Sequence, residues 1–195
     1  MKPFATERFS LVLDRVPVRA AVIRWFLLVL GVVLLVLFWW KPKNEKNLAL
    51  GASVEMSSNC WTAPLHALTP VGPSLLVDGL RERDYDACTG AEHSPWAKLD
   101  FGGRVALERI VVSGRADCCW ATDTLPLLLE VSDDNQNFRE IRRRTLPFTR
   151  DDPWIVTGAN AAGRYLRVRV ASERPHSEIV LSEVEVYGQR LENAR

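Results

Sequence analysis

The order of apolar and polar positions divides the chain into one long apolar run and a longer part with short, strand-like patterns. No residue from Trp25 to Trp40 is charged. Beyond Asn47 the apolar runs are short, turn residues interrupt them, and no long helical period appears. Residues 165–170 and 180–186 alternate between apolar and polar side chains, as half-buried strands do. The pattern predicts one apolar helix followed by an all-β domain.

The strand-like segments predict an antiparallel β-sandwich of the jelly-roll type. Runs 105–112, 125–131 and 138–145 are candidate strands, and Asp133-Asp134-Asn135 forms a turn between the last two. We interpret Arg142-Arg143-Arg144 as a solvated strand edge. Eight or so short strands with one-sided alternation are typical of two packed sheets. In such folds the loops at one end carry the binding site, so we expect function in the loops.

The apolar run predicts a transmembrane helix. A helix from Ala20 to Trp40 would be about 31 Å long, enough to cross a bilayer. The alternative is a cleaved signal peptide, whose shorter core should be followed by small residues, whereas Trp39-Trp40-Lys41-Pro42 is bulky and charged. The predicted order is a basic N-terminal tail, the membrane helix, a short linker, the β-sandwich and a C-terminal tail, at residues 1–19, 20–40, 41–46, 47–188 and 189–195.

The charges and cysteines predict the orientation of this membrane anchor. Basic residues lie on both sides of the apolar run, with a weak excess on the N-terminal side, which favours a cytoplasmic N-terminus. All four cysteines follow the run, as expected for a domain in an oxidising compartment. We therefore expect a single-pass signal-anchor protein whose C-terminal domain lies outside the cytoplasm.

The overall composition excludes several classes of function. The chain has 195 residues, 47% of them hydrophobic, and a net charge of +1, so it has no global field that would attract nucleic acid. No metalloprotease, serine-hydrolase or phosphate-loop motif occurs, and the three histidines are scattered. We expect that the protein is not an enzyme and does not bind nucleic acid.

Candidate chemistry is concentrated in the stretch from Ser113 to Trp120. Arg115 and Asp117 point to the same side of an extended segment, and Cys118 and Cys119 are adjacent. If the two cysteines paired, their small ring would form a rigid apolar patch beside fixed polar groups, which suits a sugar. The alternative is a surface ion pair and cysteines that pair elsewhere, since four cysteines allow three pairings.

The stretch Arg115-x-Asp117-Cys118-Cys119 resembles the binding-loop motif of the fucose-binding F-type lectins. These lectins belong to the discoidin, or coagulation-factor C-type, group of galactose-binding-like β-sandwich modules. The likeness extends over residues 47–188 and includes an opening strand, an Asp-Gly turn, a Pro-Trp stretch, a hairpin and a closing strand. These are Asn47–Gly51, Leu76–Gly79, Pro95–Gly102, Val131–Phe138 and Leu181–Gly188.

The resemblance implies a set of ligand-binding residues and two disulfides. The implied ligand-binding residues are Arg115, Asp117, Cys118, Cys119 and Trp120, with His93 in place of the histidine of the family. Trp120 packed in the core and His93 in solvent are the alternatives. The implied disulfides are Cys118–Cys119 and Cys60–Cys88. The other residues to watch are Trp61 and His66 on a neighbouring loop, and Trp96, which we interpret as a core residue.

The sequence departs from the lectin motif at two positions. Thr122 stands where the family has a second basic residue, and Cys88-Thr89-Gly90 stands where a histidine follows a cysteine. Two of the three polar sugar contacts of the family are therefore absent, and fucose specificity is not implied.

The resemblance also implies a structural Ca²⁺ ion. Asp78 and Glu183 would supply carboxylate ligands, and the main-chain carbonyls of Leu75, Ala87 and Ser182 would complete the oxygen shell that a hard cation prefers. The family tends to have asparagine where Leu75 and Leu80 stand, and Asp78 capping its own turn is the alternative.

The sequence thus favours a membrane-anchored, extracytoplasmic, carbohydrate-binding module for a glycan or polysaccharide. The alternative is a non-catalytic scaffold of the same fold that binds a membrane or envelope protein and has lost sugar binding.

Overall fold

The computed structural model describes residues 22–23, 25–31, 45–60, 72–81, 87–114, 124–148 and 152–191. The chain divides into two compact units, Met1–Asn44 and Glu45–Arg195. In the first unit, residues 22–23 and 25–31 are helical, and their apolar side chains are exposed. In the described part of the chain, no helix combines the length and apolar character needed to span a membrane. Most of the predicted span 20–40 lies outside the described residues.

The second unit is an all-β fold, as predicted. Its described residues form seven antiparallel strands in the order β2-β7-β3-β6-β4-β5, with β1 paired to β3. A short 3-10 helix, Pro73–Val77, precedes β2. The strands are β1 Ser53–Met56, β2 Ala87–Cys88, β3 Trp96–Gly114, β4 Leu127–Ser132, β5 Arg139–Arg144, β6 Trp154–Val170 and β7 Val180–Arg190.

The sheet has two halves, one with β1, β4 and β5 and the other with β2 and β7. The two longest strands, β3 and β6, run through both halves. β3 pairs with β6 along most of its length, but the register shifts between Asp100 and Val105. Residues 97–100 of β3 also pair with β1, whereas residues 105–114 pair with β7. Gly102, with φ +71°, lies at this bend, where a side chain would strain the backbone. The arrangement is consistent with a β-sandwich whose two layers share β3 and β6.

One hydrophobic cluster joins the two halves. Leu99, Leu129 and Leu166 from one half and Ile110 and Val186 from the other belong to the same buried core. In residues 165–170 the predicted alternation is confirmed, because the apolar side chains are buried and the arginines are partly exposed. β5 is an edge strand with Arg142 and Arg143 exposed, as predicted. Arg144 departs from the prediction, because its side chain lies over the Phe148 ring and is only 11% exposed.

Three expectations about the strands are corrected. Asn47 does not begin a strand; it forms an isolated bridge with Tyr187, and its Oδ1 accepts the N–H groups of Ala49 and Val186, which starts a turn instead. β6 begins at Trp154, because its first half pairs with β3 although its sequence is rich in alanine and glycine. β7 is buried on both faces rather than on one, because residues 72–81 cover its second face.

Candidate functional site

The candidate site lies at the end of the domain where β2 and β3 end and β7 begins. Cys88 pairs with Val180, and Gly114 pairs with Leu181. Neighbouring strands are about 4.8 Å apart, so Cys88 and Gly114 lie about 10 Å apart on either side of β7. β2 and β3 therefore end at the same end of the domain.

The loop after Gly114 contains most of the predicted ligand-binding residues. Those residues, and two others predicted on a neighbouring loop, lie outside the described residues: Arg115, Asp117, Cys118, Cys119, Trp120, Trp61 and His66. The structure describes Gly114, the residue before this loop. A Cβ atom on Gly114 would come within 2.5 Å of the ring of Phe148, which is buried and has the Arg144 guanidinium 4.4 Å above it. Gly114 is therefore closely packed against Phe148.

A disulfide joins two segments at this end of the domain. The structure pairs Cys60 with Cys88, with 5.5 Å between their Cα atoms, and this confirms the second implied disulfide. The Cys60 N–H also donates to the Cys88 carbonyl at 3.1 Å. The segment after β1 is thus fixed to the end of β2. The first implied disulfide, Cys118–Cys119, lies outside the described residues.

A hydrogen-bond network centred on Glu92 ties three segments together. The hydroxyl groups of Ser57 and Ser58 each donate to Oε1 of Glu92 at 2.6 Å. Ser58 in turn accepts the Gly90 N–H at 3.0 Å. The main chains of Glu92 and Ser177 exchange two hydrogen bonds, of 3.0 and 2.9 Å. The network therefore links the segment after β1, the turn after β2 and the segment before β7.

The sequence pattern does not mark Glu92 as a site residue. The available signal was an acidic residue beside His93, in the segment where the family has a polar contact, but the serines that orient it are 34 and 35 residues away along the chain. The structure brings His93 to the same end of the domain as Gly114, and its side chain is exposed. Ser94, the next residue, has a left-handed φ of 53°, which marks the tight turn into β3.

Trp96 is not the core residue that the sequence suggested. It is partly exposed, whereas its neighbours Ala97 and Leu99 are buried, so the tryptophan lies on the outer face of β3. The ammonium group of Lys98 lies 5.2 Å from the centre of its ring. The resemblance predicted the correct strand for Trp96. The register of β3 determines which face of the strand carries its side chain.

The two predicted carboxylate ligands, Asp78 and Glu183, lie near each other on the second face of β7. The Gly79 N–H donates to Oε1 of Glu183 at 3.1 Å, while Oε2 is buried and accepts no hydrogen bond from any described residue. Asp78 caps its own turn, because its Oδ1 accepts the Leu80 N–H at 3.0 Å. Of the implied main-chain ligands, Ser182 lies on β7, Ala87 lies on the neighbouring strand β2, and Leu75 lies in the 3-10 helix.

The electrostatics of this face are compatible with a bound cation. Burial is the main cause that raises the pKa of Glu183 to about 8, and the negative charge of Asp78 contributes. In the described part of the chain no three His, Cys, Asp or Glu side chains converge, so most ligands would have to be carbonyl groups. A Ca²⁺ ion bound here would compensate the negative charge of Glu183 and would contact Oε2, which accepts no hydrogen bond from the described residues. The role of such an ion would be structural.

The β-domain matches the sequence model of a known family. The model of the F5/8 type C domain matches residues 54–184, more than half of the chain. The chain belongs to the F5/8 type C domain family. This confirms the discoidin, or coagulation-factor C-type, resemblance. A search of curated proteins found no match.

Several solved structures share the fold of this F5/8 type C domain. A fucolectin from striped bass (Morone saxatilis) serum has a TM-score of 0.66 and 20% identity, and the match covers 78% of this chain and 52% of that one. The chain thus spans about half the length of the fucolectin. A fucose binding module from Streptococcus pneumoniae has a TM-score of 0.59 and 20% identity over 74% and 99% of the two chains.

A Clostridium perfringens domain, solved in complex with GalNAc-β-1,3-galactose, has a TM-score of 0.57 and 15% identity over 73% and 100% of the two chains. At these identities the matches show the fold.

Proposed function

We propose that this F5/8 type C domain is a non-catalytic module that binds carbohydrate at the end of the sandwich near Cys88 and Gly114. The observation that carries the proposal is the position of the Arg115–Cys119 motif, which follows β3 directly at the end where the disulfide-linked segments also meet. The fucose binding module and the domain solved with GalNAc-β-1,3-galactose support the proposal, since both share the fold.

Arg115 is the proposed donor to the sugar hydroxyl groups. A planar guanidinium can donate two parallel hydrogen bonds, which suits a pair of vicinal hydroxyl groups. A charged hydrogen bond contributes about 1.5–3 kcal/mol, so Arg115→Ala should weaken binding by about 10- to 100-fold. Arg139→Ala is the matched control, because Arg139 is exposed at the start of the edge strand β5.

The test is a glycan array probed with the full-length chain and with these two variants. The array should include fucosylated, galactose-terminated and GalNAc-terminated glycans. Binding by the wild type and by Arg139→Ala, together with loss in Arg115→Ala, supports the proposal. If the wild type binds no glycan, the carbohydrate function is wrong, and the alternative of a scaffold for an envelope protein is favoured.

We also propose that Cys118 and Cys119 pair with each other and that their ring forms the apolar floor of the site, with Asp117, Trp120 and His93 around it. The Cys60–Cys88 disulfide supports this pairing, because it uses the other two cysteines of the chain. Peptide mapping without reduction tests it. A Cys118 or Cys119 peptide linked to Cys60 or Cys88 would contradict the ring.

The proposed setting is the outer surface of a membrane. The support is the uncharged run from Trp25 to Trp40 and the position of every cysteine after it.

We further propose a structural Ca²⁺ ion held by Asp78, Glu183 and nearby main-chain carbonyls. The support is the buried Oε2 of Glu183, which accepts no hydrogen bond from the residues that the structure describes.

A further inference from the structure

The two carboxylate oxygens of Glu92 differ in the hydrogen bonds that they accept from the described residues. Its Oε1 accepts hydrogen bonds from Ser57 and Ser58. Its Oε2 accepts none from the residues that the structure describes, and the side chain is partly exposed. Two short hydrogen bonds to one oxygen therefore hold this partly exposed carboxylate in a fixed orientation.

The position of Glu92 follows from the register of β7 and the chain before it. The main chain of Glu92 pairs with Ser177, four residues before Leu181, and Leu181 pairs with Gly114. Glu92 and Gly114 therefore lie on opposite sides of the chain that enters β7, at the end of the domain to which carbohydrate binding is assigned above.

The chemistry of this oxygen complements that of Arg115. An ionised carboxylate only accepts hydrogen bonds, and a guanidinium only donates them. A sugar hydroxyl group can do both, and charge-assisted hydrogen bonds are the strong ones. Because Ser57 and Ser58 hold the carboxylate in place, little side-chain entropy is lost when a ligand binds. One of the two polar contacts that the lectin motif lacks in this chain is a basic residue, which only donates hydrogen bonds, so an acceptor here would change the specificity.

We propose that Glu92 is a ligand-contact residue of the carbohydrate site, with Oε2 accepting a hydrogen bond from a sugar hydroxyl group. The inference rests on the proposed carbohydrate function and extends it to the class of sugar. A fixed negative charge at the site repels carboxylated sugars, so the site selects neutral or amino sugars over sialylated and uronic-acid glycans.

The substitution Glu92→Gln separates ligand contact from a purely structural role. The amide oxygen of glutamine can still accept from both serines, so the network and the melting temperature should be kept. The amide nitrogen would replace Oε2 and turn an acceptor into a donor. We expect affinity for the best neutral glycan to fall by about tenfold or more. Glu173→Gln is the matched control, because Glu173 is exposed on the segment before β7.

The decisive measurement pairs the protein variants with monodeoxy analogues of the best neutral glycan found on the array. The full-length wild type should lose about tenfold in affinity when the contacted hydroxyl group is removed. Glu92→Gln should lose little from the same change, whereas Glu173→Gln should behave as the wild type does. This coupling between one side chain and one hydroxyl group is expected only for direct contact.

Three outcomes would overturn the inference and are distinguishable. If Glu92→Gln binds as tightly as the wild type, Glu92 is not a contact. If Glu92→Gln binds more weakly but every deoxy analogue loses the same factor in both proteins, Glu92 only positions the loop. If sialylated or uronic-acid glycans bind best, the proposed selectivity is wrong. A wild type that binds no glycan would instead overturn the carbohydrate function and this inference together.

Discussion

Glu130 illustrates how the domain holds a charge beneath its surface. It is 4% exposed on β4, opposite Arg167 of β6. Its Oε2 accepts from Nε of Arg167 at 2.8 Å, and its Oε1 accepts from Nη2 of Arg169 at 2.7 Å. Burial by itself raises the pKa of Glu130, but the hydrogen bonds from the two arginines outweigh burial, and the pKa lies below its ordinary value of 4.5.

The shifted pKa predicts how stability depends on pH. A carboxylate whose pKa is lowered by folding stabilises the folded state above its unfolded pKa, and this contribution is lost as the pH falls through the folded value. Glu130→Gln should therefore be less stable than the wild type at pH 7, by about 1.5–3 kcal/mol. The difference should stay constant down to about pH 5 and shrink below that, as measured by urea unfolding.

Glu140→Gln is the control for Glu130. Glu140 is exposed on β5, pairs with Arg143 and lies near Glu130. Its loss should change stability by less than about 1 kcal/mol, because exposed ion pairs contribute little. A Glu130→Gln variant whose stability relative to the wild type does not change between pH 7 and pH 3 would contradict the assigned role.

The second residue-scale prediction concerns the proposed calcium ion. Ca²⁺ at about 100 times its dissociation constant should stabilise the domain by about 2.7 kcal/mol, because it binds only the folded state. Glu183→Gln and Asp78→Asn should abolish the rise in melting temperature, and Asp152→Asn, at an exposed position, should keep it. Identical melting curves of the wild type with calcium and with chelator would remove the metal from the proposal.

At the scale of elements, the Cys60–Cys88 disulfide is the covalent link between the segment after β1 and strand β2. It closes a loop with a sequence separation of 28 residues. β2 itself is two residues long, and among the described strands it pairs only with the start of β7, so few ladder hydrogen bonds hold it. The disulfide therefore maintains the geometry of the Glu92 network as well as stability.

Removing this disulfide should lower the free energy of unfolding by about 3–4 kcal/mol, because the unfolded chain would regain the entropy that closure of a loop of this length removes. We expect Cys60→Ser combined with Cys88→Ser to shift the urea unfolding midpoint by a corresponding amount. Cys118→Ser combined with Cys119→Ser should cost far less stability, because a ring within two residues hardly restricts the unfolded chain. Equal losses in the two double variants would argue against the adjacent pairing.

At the scale of the whole molecule, the proposed topology places the β-domain outside the cytoplasm. A reporter that is active only outside the cytoplasm, fused after Arg195, should therefore be active. A cytoplasm-only reporter at the same position should be silent, and a reporter before Met1 should show the opposite behaviour. Activity of the cytoplasmic reporter after Arg195 would refute the orientation.

The sequence alone predicted the fold class and much of the strand pattern. Residues 165–170, the hairpin of β4 and β5 and the closing strand could be recognised because apolar alternation and turn residues act locally. The resemblance added the family and the Cys60–Cys88 disulfide. The first half of β6 was missed because its strand formers end at Thr157. The small residues from Gly158 to Gly163 carry weak strand propensity, and only pairing with β3 extends the strand through them.

For the candidate site, the sequence determined which residue types are present and near which turn they lie. The tertiary structure decided which of them meet. Glu92 became visible only through Ser57 and Ser58, which are distant along the chain. Glu183 was expected on a polar face, yet it is buried because residues 72–81 cover that face of β7. Local sequence sets propensity and period, whereas burial and hydrogen-bond partners depend on contacts between remote segments, which no local pattern contains.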